Sequence, residues 1–206
     1  MVMKKLALAL AFTGLAGGAL ADTNVALNGA VTLSATAGWG DSAGWGGGVL
    51  AAPATVTDGV FLAVGTQWNT GSVFWSGAVG VDAITVTLNQ KSLVSQLLIQ
   101  ADNDNNYLVE YLDSSNLWQT AATLSPHRSW GLDNGSATLG SPVLTTAFRI
   151  SGAAGAGDAQ FSVSEFQAIG NVVAVPEPAT YGMLGAGLGL LALVARRQSR
   201  KGNAGC

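Results

Sequence analysis

Between residues 22 and 170 apolar side chains recur at every second position, and a 3.6-residue helical period is hard to find. Ile84, Val86 and Leu88 are separated by Thr85 and Thr87, and Tyr107, Val109 and Tyr111 alternate with Leu108, Glu110 and Leu112. Successive side chains of a strand point to opposite faces, so this pattern builds a sheet with one buried face. The mostly apolar run 93–100, the stretch 118–123, the pair Phe148 and Ile150 about Arg149, and 161–169 supply further strands. Turn chemistry separates them at 103–106, Asp113-Ser114-Ser115-Asn116, Asp133-Asn134-Gly135 and 151–158. Many short strands at such intervals predict an all-β sandwich or barrel rather than a βαβ sheet. The only cysteine, Cys206, lies past the last apolar segment, so no disulfide ties this body together. With 153 residues from 22 to 174, a single domain can hold itself by its core.

The two ends are built differently. Lys4 and Lys5, the apolar stretch 6–15 and Ala19-Leu20-Ala21 before Asp22 have the order of a secretory signal peptide. That predicts a signal peptide over 1–21, export by the general secretory machinery and signal-peptidase cleavage, with the mature chain starting at Asp22. At the other end, Val175, Pro176, Glu177, Pro178, Ala179 and Thr180 lead into an apolar run closed by Arg196, Arg197, Arg200 and Lys201. Residues 179–195 number 17; at about 1.5 Å each they reach about 25 Å as a helix, the lower edge for spanning a hydrocarbon core. Gly182, Gly185, Gly187 and Gly189 lower its helix propensity. A single transmembrane helix over 179–195 is therefore expected, with the basic cluster as a cytoplasmic stop. Pro176 and Pro178 hold the preceding stretch extended and short of backbone donors, a shape a membrane protease can bind. This order resembles the PEP-CTERM sorting signal of Gram-negative bacteria. The resemblance implies processing by an exosortase-like enzyme and delivery to the cell surface or its matrix. A permanent tail anchor is the alternative. The domain reading is thus 1–21 signal peptide, 22–170 body, 171–175 linker and 176–206 sorting signal.

Setting the ends aside changes the charge. Six of the nine basic residues lie in them; between 22 and 174 only Lys91, Arg128 and Arg149 remain against eleven acidic residues, about −8. So acidic a body is a poor partner for nucleic acid and is compatible with neutral glycans and divalent cations.

Four segments of the body, taken together and in order, resemble a discoidin domain, the coagulation-factor type C or galactose-binding-like sandwich. They are Asn24-Val25-Ala26-Leu27-Asn28 with Val31-Thr32; Thr57-Asp58-Gly59 with Thr66-Gln67-Trp68; 84–88 with 107–111 and Trp118; and Phe148-Arg149-Ile150 with 162–170. The resemblance implies an eight-stranded jelly-roll sandwich. It also implies one structural calcium ion between the Asp-Gly loop and the last strand, with Asp58, Thr66 and Glu165 as ligands and carbonyls completing the shell. Val60 stands where many members carry a polar residue, which removes one side-chain ligand. The run 102–106 has alternating oxygen side chains, but Tyr107 and Asp113 stand where a calcium loop of the EF-hand kind needs Gly and Glu; a hairpin turn accounts for it.

Sandwiches of this kind bind ligands with the loops at one end, where an exposed aromatic stacks on a sugar ring. The candidates are Trp39, Trp45, Trp75, His127, Arg128 and Trp130. The segment 37–48 contains Gly-Trp-Gly twice and reads as a long loop with aromatic tips. His127 is the only histidine, the body has no cysteine, and no nucleophile elbow is present, so an enzyme is not expected. The leading expectation is a surface-sorted protein that binds polysaccharide in a biofilm or envelope matrix. A self-associating coat or matrix subunit with no sugar ligand is the other reading.

Overall fold

The computed structural model describes residues 21–34, 38–155, 157–173 and 178–202. Two compact units emerge, Met1–Asn171 and Val172–Cys206. The signal peptide lies outside the described residues, as do Val175, Pro176 and Glu177 of the sorting motif.

The first unit is the all-β sandwich that the alternation predicts. Among the described residues its strands are β1 (Thr23–Asn24), β2 (Ala30–Leu33), β3 (Val73–Ser76), β4 (Ala83–Asp102), β5 (Asn106–Leu112), β6 (Trp118–Leu124), β7 (Leu132–Ala153) and β8 (Gln160–Val172). The pairings for which a register is given are all antiparallel. β4 and β7 run 20 and 22 residues and serve both layers. In one layer β8 joins β1 and β3 to β4, whose residues 92–102 pair with 132–145 of β7. In the other, 84–87 of β4 pair with β2, 83–87 pair with 147–151 of β7, and β7 passes on to β5 and β6.

The strands change layer where the ladder shifts register, between Thr87 and Ser92 on β4 and opposite Thr145 and Ala147 on β7. There the Thr145 hydroxyl has the carbonyls of Leu112 (2.9 Å) and Ala147 (2.8 Å) within reach of its one hydrogen and accepts from Ala147 N (3.1 Å), occupying groups the broken ladder leaves open. Two sequence boundaries change as a result. The separate strands expected at 84–88 and 93–100 are one strand, and Asp133-Asn134-Gly135 is strand rather than turn. Gly135 is glycine for closeness: a Cβ there would sit 3.3 Å from Ile99 Cγ2 and 3.4 Å from the Pro126 nitrogen.

Between the layers Ile84, Val86, Tyr107, Val109, Phe148 and Ile150 face Leu97, Ile99, Phe161, Val163 and Phe166, all fully buried. Phe148 and Phe166 rings meet at 5.5 Å across the layers, and Tyr107 meets Phe161 edge-on at 6.0 Å. The Phe161 ring rests on the backbone of Gly152, where a Cβ would come within 2.3 Å of it. Each such fully buried apolar side chain contributes about 1.5–3 kcal/mol, so the core alone can hold a fold that has no disulfide.

The second unit contains helix α1 (Pro178–Gly202). The apolar run is helical, and Met183, Leu184, Leu188, Leu190, Leu191 and Leu193 are all exposed on it. Among the described residues, however, no helix is long and apolar enough to cross a membrane, so the expected transmembrane span is not seen. Arg196 is exposed on α1, and Arg197, Arg200 and Lys201 follow on the same helix.

Candidate ligand-binding site

At one end of the sandwich three turns and one long loop meet around a cavity of about 130 Å³. Trp45 and Trp130 stand at its rim, 51% and 60% exposed, and Trp68, 5% exposed, lines it from within. Asp102, Asn103, Asp104, Gly131 and Asp158 complete the lining.

Each wall is fixed by backbone chemistry. The Trp130 loop is held by Thr66, whose carbonyl accepts from Leu132 N at 2.7 Å, and by Gly131, whose carbonyl accepts from Asn103 N at 3.0 Å. Gly131 has φ +68°, and a Cβ there would lie 2.2 Å from the Thr66 carbonyl, so the close approach demands glycine. The Asp133 carboxylate takes the N–H groups of Arg128 (2.6 Å) and Ser129 (2.9 Å), closing the turn just before Trp130. On the opposite side, Asp41 accepts from Ala43 N (2.8 Å) and from the Ser76 hydroxyl (2.6 Å), which ties the Trp45 loop to β3. Those bonds, Ser76 first, hold the Asp41 carboxyl below the usual range.

The floor is acidic. One carboxylate oxygen from each of Asp102, Asp104 and Asp158 lies within 4.8 Å of the others. Fully buried Asn105 points its amide into them: Nδ2 donates toward Asp104 Oδ1 (2.7 Å), Asp102 Oδ2 (3.0 Å), Asp158 Oδ1 (3.5 Å) and the Gln160 carbonyl (2.7 Å). Burial, then the neighbouring Asp104, push the Asp102 carboxyl up to about 8, against bonds from Asn105 and Asn103 that pull it down.

Of the aromatic candidates, Trp45 and Trp130 are brought together here. Trp75 is not a surface residue: it is fully buried on β3, stacked on Phe161 at 5.3 Å and against Trp39 at 5.0 Å. Trp39 is half-buried, bridges to Trp75 and donates Nε1–H to the Ser34 carbonyl at 2.9 Å, so it packs the rim of the core. His127 is a staple between turns, Nδ1 against the Asn103 carbonyl and Nε2 at 3.0 Å from Asn106 Oδ1. Arg128 lines a separate cavity of about 160 Å³ with Phe61, Leu98 and Asn134.

The candidate calcium ligands divide similarly. Asp58 and Glu165 meet at one turn, where Asp58 Oδ1 accepts from Val60 N (2.8 Å) and Glu165 Oε2 from Gly59 N (3.2 Å). Two carboxylates at one turn fit part of a calcium shell. The Thr66 hydroxyl, by contrast, donates to the Ala63 carbonyl at 2.6 Å, and the residue serves the Trp130 loop. Sequence reasoning missed Trp68 and the three-carboxylate floor. The alternation of Asp102 and Asp104 was visible, but their meeting with Asp158, from a turn more than fifty residues later, was not.

Residues 174–201 match the PEP-CTERM protein-sorting motif, which marks the chain for export and surface sorting. No curated protein matches the chain. Among solved structures it is similar to chitosan-binding module 1 of a chitosanase/glucanase from Paenibacillus sp. IK-5, at 21% identity over 71% of this chain and 98% of that one, TM-score 0.45. It is similar to the family 32 carbohydrate-binding module of C. perfringens NanJ in complex with galactose, at 16% identity over 68% and 93%, TM-score 0.44. It is also similar to the family 32 module of Streptococcus pneumoniae EndoD, at 13% identity over 71% and 98%, TM-score 0.45. The matches are a sorting motif and carbohydrate-binding modules; no catalytic domain is indicated.

Proposed function

We propose that this chain is an exported, surface-sorted, non-catalytic protein that binds glycan in the envelope or biofilm matrix of a Gram-negative bacterium, its tail processed by an exosortase-like enzyme. The observation that carries the reading is the pair of half-exposed indoles, Trp45 and Trp130, framing a cavity with a carboxylate and amide floor. A flat indole covers the apolar face of a pyranose at little entropic cost, while Asp and Asn oxygens accept its hydroxyl groups. At about 130 Å³ the cavity is well below the roughly 300–1,000 Å³ of sites for drug-sized ligands, so it suits one sugar ring at the end or edge of a polymer. The exposed leucines of α1 support a transient stay in the inner membrane before processing.

The test is a glycan array probed with the full chain in mild detergent, beside Trp130→Ala and Trp45→Ala. Binding to at least one glycan, weakened about tenfold or more in each variant, is expected. An empty array, or binding indifferent to both substitutions, sinks the reading; an empty array with self-association in light scattering favours the coat subunit instead. For the tail, the intact mass of protein from its native envelope should place the C-terminus near 176–180; a mass running through Cys206 argues for a permanent anchor.

A further inference from the structure

We infer that the cavity lined by Phe61, Leu98, Arg128, Asn134 and Ser136, on the outer face of β4 and β7, binds one acidic sugar ring, a uronate, within an otherwise neutral glycan. This extends the glycan reading to a separate site and rests on that reading only for the polymer. The acid is read from the cavity's own donors.

The cavity, about 160 Å³, is set by a residue that no ligand has to touch. Gln100 is wholly buried, and its amide clasps the backbone of the Phe61 loop. Leu62 N donates to Gln100 Oε1 at 2.7 Å, and Gln100 Nε2 donates to the Leu62 carbonyl at 2.9 Å. The Ser164 hydroxyl also donates to Oε1, at 2.8 Å. These bonds decide which way the amide points, because a reversed amide would set N–H against N–H and oxygen against oxygen. The direction is passed on to the next residue. Gln100 Nε2 gives its other hydrogen to Asn134 Oδ1 at 3.0 Å, so Asn134 must turn its oxygen to Gln100. Its nitrogen keeps both hydrogens and has no partner among the described residues.

Arg128 adds the charge. Arg149 is paired with Glu110 at 2.7 Å, whereas the Arg128 guanidinium has no partner among the described residues. Asp133, close by in sequence, is buried and accepts from the N–H groups of Arg128 (2.6 Å), Ser129 (2.9 Å) and Asn134 (2.7 Å). Among the described residues no carboxylate lines the cavity. What it offers is therefore the guanidinium fork, the Asn134 amide hydrogens and the Ser136 hydroxyl, a donor set with a positive charge. A planar guanidinium beside further N–H donors matches a carboxylate. Phe61, 36% exposed, and Leu98 supply apolar surface for the C–H face of the ring that carries it. The indole cavity is the reverse, with three carboxylates in its lining and no base. A body with this excess of acidic residues repels a run of acidic rings, so a single one among neutral neighbours is favoured.

The full chain in mild detergent is titrated by calorimetry with methyl β-glucuronide, methyl β-glucoside and acetate. The glucuronide is expected to bind at least about tenfold more tightly than either of the others, since it alone offers both ring and carboxylate. Its affinity should fall at least about tenfold in Arg128→Gln, which removes the charge. The same loss is expected in Asn134→Asp, which keeps an oxygen for Gln100 but replaces the free donors with a repelling oxygen. Affinity should also fall severalfold between about 0.1 M and about 1 M salt, as the screening length shortens from about 10 Å to about 3 Å. Both residues are exposed, so the variants keep the fold, which circular dichroism verifies. Lys91 lines a different cavity, and Lys91→Gln, with the same change of net charge, should leave the affinity intact. The inference is overturned if the glucuronide fails to bind, or if the glucoside or acetate binds as tightly. It is equally overturned by binding that survives both Arg128→Gln and Asn134→Asp, or by an equal loss in Lys91→Gln. Neutral glycans on the array report on the indole cavity and the glucuronide on this one, so each reading can fail alone.

Discussion

Glu165 is wholly buried on β8, with donors from Gly59 N and the Gln167 amide, yet burial outweighs those bonds and pushes its carboxyl from 4.5 up to about 7; the Asp58 charge adds to the push. Between those two values the native chain keeps a proton that the unfolded chain gives up. The contribution of Glu165 to stability is therefore full below pH 4.5 and is lost as pH rises through about 7. At about 1.36 kcal/mol per pH unit, the loss is about 3 kcal/mol once the group is ionised in both states. Glu165→Gln removes the titration and keeps an oxygen for Gly59 N. Wild-type stability should thus fall by about 2.5 kcal/mol more than that of the variant between about pH 5 and about pH 8.5. Asp102, pushed up to about 8, slopes in the same direction in both proteins, so the difference between them isolates Glu165. The assay is urea unfolding in chelator, followed by tryptophan fluorescence. All six tryptophans lie between 39 and 130, so the signal reports the sandwich even with the tail in a micelle. Parallel pH profiles, or a variant less stable than wild type at the alkaline end, would refute the assignment of a buried, reluctantly ionised carboxylate.

Gly152→Ala should destabilise the sandwich by about 1–3 kcal/mol, measured by the same urea titration, because the new methyl would meet the Phe161 ring at 2.3 Å. Trp75→Ala should cost about 3–5 kcal/mol as a core truncation, whereas Trp130→Ala should change the unfolding midpoint little while weakening glycan binding on the array about tenfold or more. Tyr107→Phe should cost about 1–3 kcal/mol in thermal or urea unfolding, since the buried Ser162 N–H donates to the Tyr107 hydroxyl at 3.1 Å and would be left without a partner.

Much of the sandwich was legible because period-two alternation is a local signal. Ile84 and Val86, and Tyr107 and Val109, are buried as their spacing says. What stayed hidden depends on distant neighbours. Asn134-Gly135 looks like a turn, but its glycine answers to Ile99 and Pro126 across the sheet. The two Gly-Trp-Gly tripeptides are locally identical, yet Trp39 packs on Trp75 while Trp45 stands half-exposed in its loop. No window around either residue contains the difference. The acidic floor is the same kind of case: Asp102 and Asp104 sit in one turn, Asp158 in another, and only the pairing of β7 with β4 and β5 brings those turns together. Asp58 and Glu165, more than a hundred residues apart, meet at one turn through the amides of Val60 and Gly59, while the Thr66 hydroxyl bonds within its own turn.

The pairing of Thr23 with Gly170 makes the first residues of the exported body and nearly the last ones neighbours. A chain that crosses a membrane from its N-terminus cannot close this sandwich until residue 170 has emerged. Contacts this remote in sequence also fold slowly, on the scale of milliseconds to seconds. The sorting motif begins at residue 174, only a few positions later. Closure of the fold therefore waits until the chain has emerged to within a few residues of the motif.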